Sequence, residues 1–275
     1  MKPPAFDFLR PDTVAEVLDT LARHGGGAVL LGGGQSLVPM LNMRLSRPAV
    51  LIDTLRLTQA AVIEDRGDTI RVGMGVRQAQ LEHWPALSRR LPLLARAIPW
   101  IGHVQTRARG TVCGSVAHAD PSAELPLCLL ALGGHVHLRS RRKTRDLPAD
   151  QFFTGMMSTA RAEDEMIEAV SFPAAPPGTG HAFREVARRH GDFAIAAVAG
   201  IVGPAGATLA IAGVDDIPRR FALPAPGDSA LDDALDGIAW TLNARDDLHA
   251  SARYRRELVR RLGRAVLEEA AACRI

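Results

Sequence analysis

The chain has 275 residues, 47% of them hydrophobic, and a formal net charge of +3; this is enough apolar material for a substantial core, which excludes a disordered chain and suits two lobes better than one. Its basic residues are interspersed with 30 acidic ones and only 4% of residues are aromatic, so neither the basic stripe nor the stacking platform of a nucleic-acid-binding protein is present. The three cysteines, Cys113, Cys128 and Cys273, are far apart, which supports neither a disulfide framework nor a zinc site, and an iron–sulfur cluster takes about four thiolates.

In chain order, the first seven residues carry no apolar core and no cleavage pattern, so a cytoplasmic protein is expected. Thr13 and Glu16 have capping-box spacing, in which the glutamate reaches back to the cap amide, and predict a helix running to His24 and stopping at Gly25, Gly26 and Gly27. Residues 28–31 read as a strand entering a glycine turn, and 50–53 as a second strand, so the segment forms a small βαβ-like unit. It is not a Rossmann fingerprint, and no Walker lysine follows. Residues 61–64 and 69–72 predict a hairpin that begins a second subdomain. Beyond it come a helical run over 122–131 and strands at 134–139 and 165–172.

Residues 173–180 hold three prolines and two glycines and read as a linker. The boundary divides the chain into 1–176, with subdomains of about 1–57 and 58–176, and a C-terminal domain, 177–275. Residues 194–214 are nearly uncharged over a length that would span a bilayer, but Gly203, Pro204, Ala205 and Gly206 interrupt them. The segment therefore reads as a buried hairpin of strands 195–202 and 208–214, following a strand at 182–187, and no transmembrane segment is expected. Two helices, roughly 229–244 and 251–273, close the chain. The basic runs at 139–145 and 253–264 read as solvated faces.

Two segments carry the chemistry. Gly32, Gly33, Gly34, Gln35 and Ser36, bounded by Leu31 and Leu37, form one glycine-rich turn; Thr111, Val112, Cys113, Gly114 and Ser115 are read as a second. Residues without a Cβ let the main chain approach an anion, and successive N–H groups form a concave donor set that suits a pyrophosphate. Gln35, Ser36, Thr111 and Ser115 add side-chain donors. Arg107 and Arg109 either pair with phosphate bidentately or support the loop through carbonyl contacts. His118 reads as a structural hydrogen-bonding residue rather than a general base, and His135 and His137 as surface residues that lack a third metal ligand.

These turns, with their surroundings over 101–126, the run Arg188, Arg189, His190, Gly191, Asp192, Phe193 and Ala194, and residues 251–256, closely resemble the FAD-binding medium subunits of the molybdenum hydroxylases. That family includes carbon monoxide dehydrogenase, xanthine dehydrogenase and bacterial N-heterocycle dehydrogenases, and the resemblance covers nearly the whole chain. It implies an α+β fold: a two-subdomain FAD-binding lobe of the vanillyl-alcohol-oxidase / p-cresol methylhydroxylase type, then a small α+β C-terminal domain with an antiparallel sheet and helices. It also implies FAD as cofactor, contacted by Leu31 through Leu37, His103, Thr111, Cys113, Gly114, Ser115, Ala119, Asp120 and Phe193. Asp120 matches an acid that accepts from the hydroxyls of the flavin's sugar portion. Phe193 stands where the family often has tyrosine and would stack on or shield the isoalloxazine, or pack in the core.

The resemblance implies no catalytic residue and no metal ligand in this chain. Electrons would come from an iron–sulfur small subunit with two 2Fe–2S clusters, paired with a molybdenum-cofactor large subunit, and would pass to an external electron acceptor. The expected assembly is a heterohexamer in the cytoplasm, or peripheral at the inner face of the membrane. Three positions depart from the family pattern. Gly32 replaces alanine, a mild change; Cys113 replaces glycine and Ala108 replaces asparagine, and both bear on FAD affinity. A cysteine at 113 supplies the same N–H only where no positive φ is needed, and its thiol reads as an unreactive packing variant with a raised pKa. Two other readings stand beside this one: a flavin-free assembly module of such a complex, and a standalone flavin reductase or oxidase.

Overall fold

In the computed structural model, which describes residues 2–274, the chain opens with a short strand, β1 (Asp7–Leu9), that no sequence signal marked. It leads into α1 (Val14–His24), capped by Thr13, whose hydroxyl oxygen accepts from the Glu16 amide at 3.2 Å. The return contact differs from the expected capping box, since the Glu16 carboxylate accepts from the Asp12 amide, one residue before the cap. Strand β2 (Ala28–Leu31), helix α2 (Leu37–Asn42) and strand β3 (Val50–Asp53) follow, and β1, β3 and β2 form a parallel three-stranded sheet in that order. Parallel pairing brings the C-terminal ends of the strands to one edge, where the first glycine turn leaves β2.

The second subdomain begins with the hairpin β4 (Ile63–Asp65) and β5 (Thr69–Gly73), slightly displaced from the expected bounds. Short helices follow: α3 (Gln78–Glu82), α4 (Leu87–Arg90), α5 (Pro92–Ala97), α6 (Val104–Arg109), α7 (Val112–His118) and α8 (Glu124–Ala131). Then come β6 (His135–Arg139), β7 (Thr144–Pro148), α9 (Ala149–Phe152), the small pair β8 (Phe153–Gly155) and β9 (Ser158–Thr159), and β10 (Met166–Pro173). Strands β4, β5, β10, β6 and β7 form an antiparallel sheet in that order. Ile70, Val72, Val136, Val170 and Phe172 are buried on it, against helices that contribute Leu93, Leu94, Val112 and Val116. At about 1.5–3 kcal/mol for each fully buried aliphatic or aromatic side chain, this face is a dominant source of the lobe's stability.

The proline-rich segment ends at β11 (Gly180–Val186), which begins a four-stranded antiparallel meander with β12 (Ala196–Gly203), β13 (Gly206–Ala212) and β14 (Arg219–Leu223). The near-uncharged stretch is thus a hairpin whose strands pair from Ala197 with Ala212 to Gly203 with Gly206. Helices α10 (Leu231–Thr241) and α11 (Ala252–Ala272) complete the chain; α11 packs on β11 and β12. No helix among the described residues is long and apolar enough to cross a membrane.

Every residue of α8 is buried. An apolar surface all round fits a helix enclosed on every side, and α8 lies between α5 and α7 of the first lobe and strands β12, β13 and β14 of the second. It begins two residues later than the sequence suggested, because Ser122 belongs to the preceding turn: its amide donates to Asp120 Oδ1 at 2.8 Å. Helix α8 is therefore the seam of the molecule.

Candidate functional site: a glycine-lined cleft

The turn after β2 has steric reasons for its glycines. Gly34 has φ +75°, and a Cβ on Gly33 would overlap the Arg109 carbonyl and the Gly110 backbone. Gly32 is looser, with the Thr111 hydroxyl 3.0 Å from where its Cβ would sit. The two chemically distinctive segments therefore pack directly on each other. The Gln35 side chain folds back to donate to the Gly33 carbonyl at 3.3 Å, and the Val38 amide donates to the Gly34 carbonyl at 3.0 Å.

The second segment is not a turn but the start of a helix. Thr111 is the N-cap of α7, and its hydroxyl accepts from the Gly114 amide at 3.1 Å while keeping its own hydrogen to donate. A Cβ on Gly114 would come within 2.6 Å of that hydroxyl, which accounts for the glycine. Cys113 lies in the first helical turn and has no positive φ. Its thiol points into the core, 3.6 Å from the Val72 carbonyl, and burial pushes it up to about 12. This is the inert packing thiol the sequence suggested. Ala119 closes α7 in the left-handed region, at φ +52°.

A cleft of about 1310 Å³ runs past both segments and on to the second lobe, larger than the roughly 300–1,000 Å³ usual for small-molecule sites. Gly32, Gly33, Gly34, Gln35, Ser36 and Leu37 line its first part, and Thr111, Cys113, Gly114, Ser115 and Asp120 the middle. Phe193, 72% exposed, lines the far part and is not a core residue. Leu31, His103 and Ala119 do not line the cleft. Leu31 ends β2, and Ala119 is buried behind α7. His103 caps α6, with its ring against Gly191, whose φ is +87° and which has no room for a Cβ beside the Gly102 carbonyl. That contact holds the 188–194 loop of the second lobe against the first.

Asp120 is 9% exposed. Its Oδ1 accepts from the Ser122 amide, leaving Oδ2 as an acceptor for a ligand hydroxyl. For Arg107 the geometry decides between the two readings: it is buried, forms a bidentate pair with Glu82 at 2.9 and 3.1 Å, and donates to the Ile101 carbonyl at 3.1 Å. Arg109 contributes its carbonyl, which accepts from Arg77 at 2.7 Å, while its side chain is exposed. Ala108 is exposed on α6, and half-buried His118 lines the cleft. His135 and His137 share Asp146 at 3.1 and 3.5 Å. No group of three or more potential metal ligands occurs among the described residues.

Several lining residues were not singled out from the sequence, although Thr106, Glu124 and Arg255 lie in the segments 101–126 and 251–256 that carry the resemblance, and the sequence reads Arg255 as part of a solvated basic face. Gln78 and Thr106 sit below the apposed segments, and Met156 and Met157 lie at one rim. Glu124, at the start of α8, and Arg255, on α11, come from the seam and the second lobe. Arg255 is buried and donates to the Ile195 and Gly213 carbonyls, each at 2.6 Å, and pairs with Asp247. These residues come from separate elements and converge only in three dimensions. The cleft fits a large phosphorylated cofactor: one stretch requires glycine so that backbone can approach closely, hydroxyl donors lie beside it, and a half-committed carboxylate follows.

The comparisons with known proteins agree with this geometry. A family model described as the FAD binding domain in molybdopterin dehydrogenase matches residues 4–175. The chain is 44% identical over 202 residues to the 6-hydroxypseudooxynicotine dehydrogenase complex subunit alpha of Paenarthrobacter nicotinovorans, covering 74% of this chain and 68% of that one. It is 36% identical to the nicotine 6-hydroxylase medium subunit of the same organism, over 99% of both chains. Among solved structures, carbon monoxide dehydrogenase from Hydrogenophaga pseudoflava superposes with a TM-score of 0.93 at 31% identity, covering 99% of this chain and 100% of that one. With a glycine-lined cleft, an α+β fold and relatives matched along their whole length, the chain belongs to the FAD-binding medium subunits of the molybdenum hydroxylases, the flavoprotein component of these oxidoreductases.

Proposed function

We propose that this chain is the electron-transfer subunit of a multi-subunit molybdenum hydroxylase, taking electrons from an iron–sulfur partner and passing them to an external acceptor. The observation that carries the reading is the cleft itself. It joins both lobes, and its far part opens beside exposed Phe193 instead of a closed substrate chamber. When bound, FAD supplies the exchange between one-electron donors and a two-electron acceptor. The chain's residues place and insulate it. The amides of 32–36 face the pyrophosphate with that of Cys113, since Val112, Gly114 and Ser115 donate theirs to the Val76 carbonyl, the Thr111 hydroxyl and the Thr111 carbonyl. Gln35, Ser36, Thr111 and Ser115 are further side-chain donors, and Asp120 accepts from the sugar hydroxyls. Phe193 covers the ring system. Leu31, His103 and Ala119 act from behind, by fixing the segments that do line the cleft.

In this reading 1–176 binds FAD and 177–275 completes the cleft. The iron–sulfur small subunit carries two 2Fe–2S clusters and a large subunit carries the molybdenum cofactor. Relatives named as medium subunits or chains support such a division of labour. The complex works in the cytoplasm or peripherally at the inner membrane face.

The test is to purify the complex with its partner chains, identify the released flavin by chromatography, and follow flavin bleaching by stopped flow when substrate is added to the molybdenum subunit. Near-stoichiometric FAD reduced by substrate supports the reading. FAD that stays oxidised while the iron–sulfur absorption bleaches overturns it.

A further inference from the structure

A helix that is apolar on every side is normally enclosed. All eight residues of α8 are buried, whereas of the six in α2, which are apolar but for Asn42, only Leu41 is. The helical period divides α2 into two faces: Leu37, Met40 and Leu41 turn toward the cleft and the core, and Val38, Pro39, Asn42 and the C-cap Met43 fall on the other side. Val38 is 42% exposed, Met43 51%, and Leu45, just beyond the helix, 70%. The end of α2 is not a loose loop. The Arg44 amide donates to the Leu41 carbonyl at 3.0 Å and the Leu45 amide to the Met40 carbonyl at 2.9 Å. That paired closure usually has glycine at its left-handed position and an apolar side chain folded back on the helix after it. Here Arg44 holds φ +60° and Leu45 stays exposed.

The charge around this face has one sign. Residues 32–49 include no aspartate or glutamate. Arg44 and Arg47 are exposed; Arg44 Nε donates to the Lys2 carbonyl at 3.4 Å and Arg47 Nε to the Arg44 carbonyl at 3.0 Å, and none of the three cations forms an ion pair among the described residues. An apolar face with unpaired cations at one end fits an apolar partner surface edged with carboxylates. A second copy of this chain fits it poorly, since a two-fold contact through this face would bring the arginines of both copies together. We propose that the outer face of α2, made of Val38, Met43 and Leu45 with Arg44 and Arg47 at its end, is the docking seat of the iron–sulfur chain. The choice of partner rests on the electron-transfer reading above. The inner face of α2 lines the cleft through Leu37 and Met40, so a chain seated on the outer face is separated from the cofactor by one helix, about 10 Å across. Direct electron transfer requires so short a separation, and among the partner chains only the one that donates to the flavin needs it. The fixed backbone at 43–45 lowers the ordering cost of docking.

Two measurements test the seat, and neither reads electron transfer. Hydroxyl-radical footprinting followed by mass spectrometry compares the purified complex with the full chain alone; oxidation of Met43 and Leu45 should be largely lost when the iron–sulfur chain is bound. Leu45→Glu and Arg44→Glu should each raise the Kd for the iron–sulfur chain about tenfold with FAD content unchanged, and Leu45→Met should bind as the unsubstituted chain does. Met43 and Leu45 that react as fast in the complex as in the free chain overturn the proposal. So does protection conferred by the molybdenum chain or by self-association of this chain, and so does a folded Leu45→Glu chain with an unchanged Kd. Where footprint and variants behave as expected but the flavin stays oxidised while the clusters bleach, the seat stands and only the electron-transfer reading falls.

Discussion

The two glycine-bearing segments that line the cleft look alike in sequence and are built differently. In the first, 32–36, glycine is dictated by backbone: Gly33 lies under the Arg109 carbonyl and Gly34 has positive φ. In the second, glycine is dictated by one side chain, since Gly114 makes room for the capping hydroxyl of Thr111, and its neighbour Cys113 turns away into the core. A glycine held by main-chain contact cannot be replaced without moving the chain. One held by a side chain is as strict only as that side chain is fixed. Departures from a family pattern are thus better tolerated in the second segment, which is where this sequence places its cysteine.

Gly33→Ala should have the largest effect. The added methyl meets the Arg109–Gly110 backbone and separates the two segments, for an expected destabilisation of about 3 kcal/mol and loss of FAD, measurable by thermal denaturation and by flavin content after gel filtration. Retention of FAD at wild-type stability would mean that the apposition of Gly33 and Gly110 is not needed to form the cleft. Cys113→Gly comes next and reverses the simple expectation that restoring the family residue restores affinity. Because the thiol packs in the core and not toward the anion, the change should leave the FAD Kd unaltered while costing about 2 kcal/mol, half from helix propensity and half from lost packing. A gain in FAD affinity would show that the cysteine does constrain the loop. Thr111→Ala removes the cap and should cost about 1 kcal/mol, with a modest loss of FAD because the donor hydroxyl goes as well.

Much of this architecture was legible because the elements carry local signals. Thr13 and Ser251 both act as side-chain caps, and the turn over 203–206 splits an apolar stretch into paired strands of the expected length. What was not legible depends on tertiary placement. Strand β1 is three residues with an exposed pattern, and it exists only because β3 offers a parallel edge. Thr111 to Ser115 read as a turn because glycine and β-branched residues have low helix propensity; the cap and the packing of Val112 and Val116 outweigh it. Glu124 sits inside an otherwise apolar helix and would pass for a first-turn acid at a helix N-terminus. Only its enclosure between the lobes distinguishes it.

The smallest expected effect separates main chain from side chain at Arg109. Arg107 and Arg109 flank the second segment with the same charge, and the sequence assigned them the same two roles. Arg107 is committed through Glu82 and the Ile101 carbonyl, so its guanidinium fixes α6. The Arg109 contribution that the geometry requires is its carbonyl, held by Arg77 and lying over Gly33. Alanine keeps that carbonyl and the helical backbone, so Arg109→Ala should change stability by no more than about 0.5 kcal/mol and leave FAD content intact. A salt-dependent loss of FAD in this variant would instead give the exposed guanidinium a direct role at the phosphate, because a solvent-exposed charge contact weakens with ionic strength whereas a backbone contact does not.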